Sequence, residues 1–218
     1  MVEYVNLDEE KKKGPRLYKF GKYSFSTMEA KHLIIALILI TVAIMVLQRD
    51  QLMVIGPVTF IMAYFFTVGL GFLLHELGHK FVAQYYGFIS EFRANFMYMF
   101  IAILIAFLGF LFIAPGAVMI LGRPSIKQNG IISVAGPLVN LFLAIIFIIL
   151  GFLFNPGPGF LSLVITLGIW VNSFLGIFNM LPVWVLDGKK VWAWNKKVYW
   201  LVMGSLIAIF LLSMFGIF

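Results

Sequence analysis

Two histidines and a glutamate lie within five residues of one another in the stretch FLLHELGHKF, residues 72–81. His75 and His79 are four positions apart, so on an α-helix their side chains stack on one face about one turn apart. Two imidazoles arranged in this way can bind one zinc ion, and Glu76 can reach a water molecule beside that ion without being a ligand. The spacing is therefore typical of metal-assisted hydrolysis with a glutamate as the general base.

The apolar surroundings of these three side chains make the pattern more informative. In a membrane helix each ionisable side chain costs about 2.5–3.5 kcal/mol on insertion scales. Three such groups so close together need a compensating partner, and a bound metal ion would be one. The alternative is a structural cluster in which the three side chains satisfy one another by hydrogen bonds.

A catalytic zinc site needs a third protein ligand and one open position. Asp187, in FNMLPVWVLDGKK, is the strongest candidate, because it follows a helix break at Pro182 and stands in apolar surroundings where a lone carboxylate is costly. The alternative for Asp187 is an interfacial ion pair with Lys189 or Lys190.

Three other side chains are weaker candidates for the third ligand. His32 stands beside Lys31 at the start of an apolar run, which favours an interfacial position. Glu91 follows the second histidine by only twelve residues and would be a short-range ligand. Asp50 adjoins Arg49 on the side of the membrane expected to be opposite the site.

The composition places the chain in a membrane. Its 218 residues are 62% hydrophobic and 11% charged, with a mean hydropathy of +1.03, whereas soluble domains average about 45–50% apolar and about 25% charged. Cysteine is absent, which excludes disulfides and thiolate metal sites. The net charge of +7 is best explained by topology and anionic lipid, and we expect no nucleic-acid partner.

Five apolar segments are long enough to cross the bilayer: about 32–48, 54–83, 131–154, 160–181 and 198–218. Residues 1–31 precede them as a basic arm that is expected in the cytosol and includes the run KKKGPR. They do not resemble a signal peptide, because they are polar and charged. We therefore predict two regions, the arm and a membrane-embedded domain over residues 32–218.

A sixth apolar segment, about 97–121, could cross the membrane or enter and return. It contains Pro115 followed by Gly116, which breaks a helix. If it crosses, the loop with four lysines between residues 187 and 197 lies outside, against the positive-inside tendency, and Asp187 lies on the opposite face from the histidines. Charge bias and metal geometry thus both favour a re-entrant element. The predicted fold is an all-α polytopic membrane protein with five to six transmembrane helices and a re-entrant or hairpin element after the HExxH helix.

Three asparagines lie in or at the ends of the later spans. Asn140, in SVAGPLVN, is expected either to join helices or to donate within the site. Asn179 lies eight residues before Asp187 and is predicted to align the substrate or stabilise an oxyanion, the alternative being a cap on the broken helix. Asn172, higher in the same span, is expected to be structural.

With HELGH on one membrane helix, AGPLVN on a later one and FNMLPVWVLDG after that, the chain resembles the site-2 protease family of intramembrane zinc metalloproteases, in a minimal form without PDZ or CBS domains. The resemblance covers about residues 54–190. One departure is Lys189, which follows Gly188 where many members have a second glycine.

The resemblance implies one zinc ion per chain, held by His75, His79 and Asp187, with Glu76 as the catalytic base. It also maps the GPxxN-type motif onto Gly136, Pro137 and Asn140, and the asparagine near the aspartate onto Asn179; we count Glu76, Asn179 and Asn140 as candidate catalytic residues.

The expected activity is hydrolysis of a peptide bond within or near the transmembrane segment of a membrane-protein substrate. The expected partners are that substrate and the lipid bilayer, in the cell membrane, with the N-terminus and the opening of the site facing the cytosol. The alternatives are a metal or proton-coupled transporter, which would have no need of Glu76 beside two ligands, and a catalytically silent membrane scaffold.

Overall fold

The computed structural model describes residues 17–109 and 116–216. Five of its helices are long and apolar enough to cross a membrane, so the chain is an integral membrane protein. In chain order the spans are α1 (Thr27–Leu47), a composite helix over Pro57–Tyr85, α6 (Ile126–Phe154), α7 (Phe160–Asn179) and α9 (Lys196–Met214). The five predicted spans are confirmed, and the polytopic helical class with them.

The composite second span has three parts, namely α3 (Pro57–Tyr64), a π-helical turn (Phe65–Gly69) and α4 (Leu70–Tyr85), which carries the HELGH residues. A short helix, α2 (Arg49–Ile55), connects the first span to it. A π-helical turn adds a residue to the helix and so changes which face the following residues present. The direction in which His75 and His79 point is thus determined just upstream of them.

The segment between the second and third spans enters and returns. Strand β3 (Ile89–Ala94) leads into α5 (Phe96–Phe107), and strand β4 (Gly116–Leu121) then pairs with β3 in antiparallel fashion. Ile89 lies opposite Leu121, so the two ends of the segment meet. The predicted re-entrant or hairpin element is confirmed as a hairpin, although Pro115, on which part of that prediction rested, lies outside the described residues.

An N-terminal hairpin precedes the first span. Strands β1 (Leu17–Phe20) and β2 (Tyr23–Ser26) pair around a turn at Gly21, whose φ of 60° favours glycine. The Ser26 side chain then caps α1 by accepting from the Glu29 amide. The first span therefore begins at Thr27, five residues earlier than predicted. The KKKGPR run of the predicted arm lies outside the described residues.

The break after α7 determines where Asp187 lies. Met180 to Leu186 form a tight irregular connection, and Asp187 is the first residue of the short helix α8 (Asp187–Trp194). A side chain at Gly188 would collide with the Met180 carbonyl group, so the glycine allows α8 to fold back against the end of α7. This fold-back directs the Asp187 carboxylate toward α4.

Candidate metal centre

Three ligand-type side chains converge at one point between α4 and α8. His75 and His79 are buried, and their Nε2 atoms lie 3.0 Å apart. The Asp187 Oδ2 atom lies 3.0 Å from His79 Nε2 and 3.5 Å from His75 Nε2. Ligand atoms on a tetrahedral zinc ion with bonds near 2.0 Å lie about 3.3 Å apart. The spacing of these three atoms fits such an ion, and the group could hold a metal.

Hydrogen bonds behind the imidazoles orient both rings. His79 Nδ1 lies 2.8 Å from the Ile132 carbonyl oxygen, which can only accept, so His79 Nδ1 carries the proton. On His75 the corresponding atom lies 2.6 Å from Asn140 Oδ1. Both rings thus keep the lone pair of Nε2 free for a metal, as ligating histidines require.

A chain of amides fixes the orientation of Asn140. Its Nδ2 atom donates to the Gly71 carbonyl at 3.2 Å and to Asn172 Oδ1 at 3.1 Å. Asn172 in turn donates from Nδ2 to the Gly168 carbonyl at 2.8 Å. Because its amide protons are used in this way, Asn140 presents its oxygen to His75. Asn140 thus contacts the candidate ligand His75 from behind, and Asn172, which we expected to be merely structural, supports it.

Gly136 provides the space in which the two histidines meet. A Cβ atom built on Gly136 would lie 2.6 Å from His75 Nε2 and would also collide with His79 Nε2. Helix α6 can therefore pass this close to the site only with a glycine here. The family resemblance marked Gly136 as part of the GPxxN-type motif, but the sequence did not show that Gly136 forms the wall of the site.

Glu76 is buried beside the three candidate ligands and does not belong to the group that could hold a metal. It lines the cavity in front of the three ligand atoms, and its Oε2 atom has no hydrogen-bond partner among the described residues. A buried carboxylate oxygen without a partner is costly, and such groups occur where a water or a reacting group is to be bound. Its position suits a group that receives a proton from a water molecule next to the metal.

The Asp187 carboxylate has two different contacts. Its Oδ2 atom faces the imidazoles, whereas Oδ1 lies 3.6 Å from Lys190 Nζ. The ion pair considered as an alternative therefore exists together with the convergence on the histidines. Burial alone would raise the pKa of the Asp187 carboxyl, but the neighbouring His79 and His75 hold that pKa well below its usual range. The carboxylate is thus ionised, as a metal ligand must be.

The cavity in front of these groups has a volume of about 170 Å³, enough for several water molecules. Asn179 lines it, and its Nδ2 atom donates to the Leu175 carbonyl of its own helix at 2.9 Å. Asn140 does not line it. The cavity is also bordered by strand β4 and by the connection before α8, through Gly116, Ala117, Val118, Ile120, Val185 and Leu186.

The other candidate ligands lie elsewhere. His32 Nδ1 accepts from the Ala94 amide at 3.2 Å, and Glu91 pairs with Arg93 at 2.5 Å. Asp50 lies exposed on α2. None of the three belongs to the cluster of ligand atoms.

Replacing Asn140 by leucine tests the support behind His75. We expect the zinc affinity to fall about 10- to 100-fold, since partners of this kind orient the ligand and fix its tautomer. Asn172→Leu should lower it less, because Asn172 contacts Asn140 and not His75 itself. Competition with a chromophoric chelator measures both affinities, and an unchanged affinity for Asn140→Leu would contradict the assigned contact.

Two curated proteins of Methanocaldococcus jannaschii are similar to the chain. "Putative zinc metalloprotease MJ0611" is 43% identical over 153 residues, which are 68% of this chain and 78% of that protein. "Zinc metalloprotease MJ0392" is 29% identical over 119 residues, 55% of this chain and 30% of that protein. No family model matches the chain, and no solved structure matches it significantly. The likeness to MJ0611 extends over most of both proteins, and the residues that could hold a metal follow the pattern recognised in the sequence. The chain belongs to a site-2 protease-like family of zinc metalloproteases.

Proposed function

We propose that the protein is an intramembrane zinc metalloprotease, which hydrolyses a peptide bond within or near the transmembrane segment of another membrane protein. One observation carries the proposal: His75, His79 and Asp187 converge among membrane-spanning helices, next to a buried glutamate oxygen to which no described residue offers a hydrogen bond. The ligand atoms His75 Nε2, His79 Nε2 and Asp187 Oδ2 would hold the zinc. A zinc ion bound there supplies Lewis acidity, which polarises the scissile carbonyl and lowers the pKa of the attacking water.

Glu76 acts as general base and then as general acid. It takes the proton from the attacking water and delivers it to the nitrogen of the leaving group. The peptide bond then breaks with release of a neutral amine and not of its anion. Asn179 lies at the cavity wall and is the candidate for aligning the substrate backbone or stabilising the oxyanion. Asn140, which contacts His75 rather than the cavity, acts as a positioning residue.

The substrate must be extended at the bond that is cut, because a helix shields its own carbonyl groups. Strand β4 offers an edge for such a segment. The Phe92 and Ala94 amides of β3 donate to side chains of α1, so they point away from β4. In an antiparallel pair, the backbone N–H and C=O groups of two opposite residues either both point toward the partner strand or both point away from it. Val118 and Gly116 lie opposite Phe92 and Ala94. Their backbone N–H and C=O groups therefore point away from β3.

Val118 and Ile120 border the cavity, and no other described residue hydrogen-bonds their outward-facing backbone groups. A substrate strand can pair along this edge of β4 and bring its scissile carbonyl to the metal centre.

The proposal also includes a location in the cell membrane. The charge distribution favours a site that opens to the cytosol, on the same side as the N-terminus.

Val118→Pro tests the pairing edge. Proline removes the outward amide of β4 but no hydrogen bond between β3 and β4, so the re-entrant sheet should survive. We expect KM to rise about 10-fold, on the scale of one lost hydrogen bond of about 1.4 kcal/mol, while zinc content stays unchanged. Met119→Ala, on the same strand, keeps every amide and serves as the control. An unchanged KM in Val118→Pro would exclude pairing at this position.

The activity itself is tested with the purified full chain in liposomes. The substrates are single-span membrane proteins whose spans carry glycine and proline, so that they unwind readily. We expect cleavage inside or within a few residues of the span, loss of cleavage on chelation and recovery on adding zinc. If the protein cleaved only soluble peptides, it would still be a metalloprotease, but the assignment of intramembrane cleavage would be wrong.

A further inference from the structure

A second buried polar cluster lies one residue along the chain from a metal ligand. Lys80 follows His79 on α4, and its ammonium group pairs with the Glu29 carboxylate of α1; both side chains are fully buried. The ammonium group also lies 3.6 Å from the centre of the Phe25 ring. The pair does not touch the metal ligands, and the mechanism does not use it.

A buried ion pair is a poor way to gain stability. The desolvation of two charges offsets most of their attraction, and apolar residues of similar size commonly hold two helices together as well or better. The second oxygen of Glu29 indicates another role. While Oε2 accepts from Lys80, Oε1 accepts from the Phe92 amide of β3 at 3.0 Å. One carboxylate thus joins α1, α4 and the re-entrant strand.

Further contacts hold the same edge of β3. The Ala94 amide donates to His32 Nδ1 at 3.2 Å, and the Ser90 carbonyl accepts from Gln84 Nε2 at 3.2 Å. The Ser90 hydroxyl donates to the Lys80 carbonyl, also at 3.2 Å. In β3, the backbone N–H and C=O groups that point away from β4 belong to Ser90, Phe92 and Ala94. Side chains of α1 and α4 therefore occupy the outer edge of this strand.

We propose that the Glu29–Lys80 pair positions the re-entrant sheet for the reaction: it occupies the outer edge of β3, which leaves β4 as the edge available to substrate, and fixes β4 relative to the metal ligands on α4. Glu29 and Lys80 are positioning residues, since they touch neither substrate nor metal. The inference rests on the proposed pairing of substrate with β4. Its physical basis is the arrangement of side chains on α4. One face of this helix carries the two histidines, and the adjacent face carries Lys80 and Gln84. A single rigid helix therefore fixes the position of the re-entrant sheet relative to the metal ligands.

Two double variants separate this role from mere stability. Glu29→Gln with Lys80→Met removes both charges but keeps a side-chain oxygen that can accept from the Phe92 amide. Glu29→Leu with Lys80→Met removes the same charges and also that acceptor. Neither leaves an unpaired buried charge, and they differ in whether residue 29 can accept a hydrogen bond from the Phe92 amide.

We expect the variant with leucine to raise KM and to lower kcat/KM by up to about 100-fold, since a displacement of about 1 Å can cost that much. Its zinc content should equal that of the wild type, and the Phe92 amide should exchange with deuterium faster. The variant with glutamine should keep the KM and the slow Phe92 exchange within about threefold of the wild type.

Equal KM values and equal Phe92 exchange in the two double variants would overturn the inference. If neither variant folds, His32→Leu and His32→Gln decide in the same way, because they remove or keep the acceptor for the Ala94 amide without touching a buried charge. Failure of the proposed function itself looks different, since the wild type would then cleave no membrane-embedded substrate.

Discussion

Glu76→Gln is expected to lower kcat by about 10²- to 10⁴-fold while leaving one zinc ion bound. Glutamine has nearly the same shape but cannot take a proton from water. Glu76 is not among the three atoms that could hold the metal, so its replacement should not release the ion. Cleavage rates in liposomes, together with metal analysis of the same preparation, measure both quantities.

The control for Glu76→Gln is Asp50→Asn, which removes a carboxylate from the exposed helix α2 and should leave kcat unchanged. Glu76→Gln protein that cleaves at the wild-type rate would remove the assignment of the general base. Loss of zinc in Glu76→Gln would instead make Glu76 a ligand. Metal flux that survives the substitution would favour the transporter considered from the sequence.

Gly136→Ala is expected to weaken metal binding strongly, although it adds a single methyl group. The new Cβ atom would lie 2.6 Å from His75 Nε2, in the space where a metal must sit. Either the imidazoles turn away or α6 shifts outward, and both changes separate the ligands. We expect zinc affinity to fall by on the order of 100-fold or more, with a parallel loss of activity. Chelator competition measures the affinity.

Gly204→Ala is the matched control for this substitution. Gly204 lies within α9, and a Cβ atom there meets no described atom within 4 Å. Alanine is a better helix former than glycine, so this variant should fold and bind zinc like the wild type. Equal zinc affinities in the two alanine variants would show that the imidazoles do not approach α6 as described.

The spans and the re-entrant element were predictable because they follow from solvent and charge. Apolar runs of sufficient length must cross the bilayer, and the lysines between residues 187 and 197 favour one side of it. The hairpin over Leu17–Ser26 was not predicted. Its lysines suggested a solvated arm, although Gly21 between two short aromatic runs was a signal for a turn.

The convergence of His75, His79 and Asp187 was accessible from the sequence because few side chains in an apolar chain can act as ligands. The residues behind them were not. Whether Asn140 faces the cavity or a histidine depends on the rotation of α6, which hydropathy leaves undetermined because the helix is apolar on nearly every face. The Glu29–Lys80 pair was missed for a related reason. The two residues are 51 positions apart and meet only when α1 packs on α4.

The most direct test of the account is the position of zinc in crystals of the purified full chain, located by anomalous scattering at the zinc absorption edge. We predict a single peak bonded to His75 Nε2, His79 Nε2 and one oxygen of Asp187, at about 2.0–2.2 Å from each. Zinc bound at any other set of residues, in protein that still cleaves its substrate, would contradict the account.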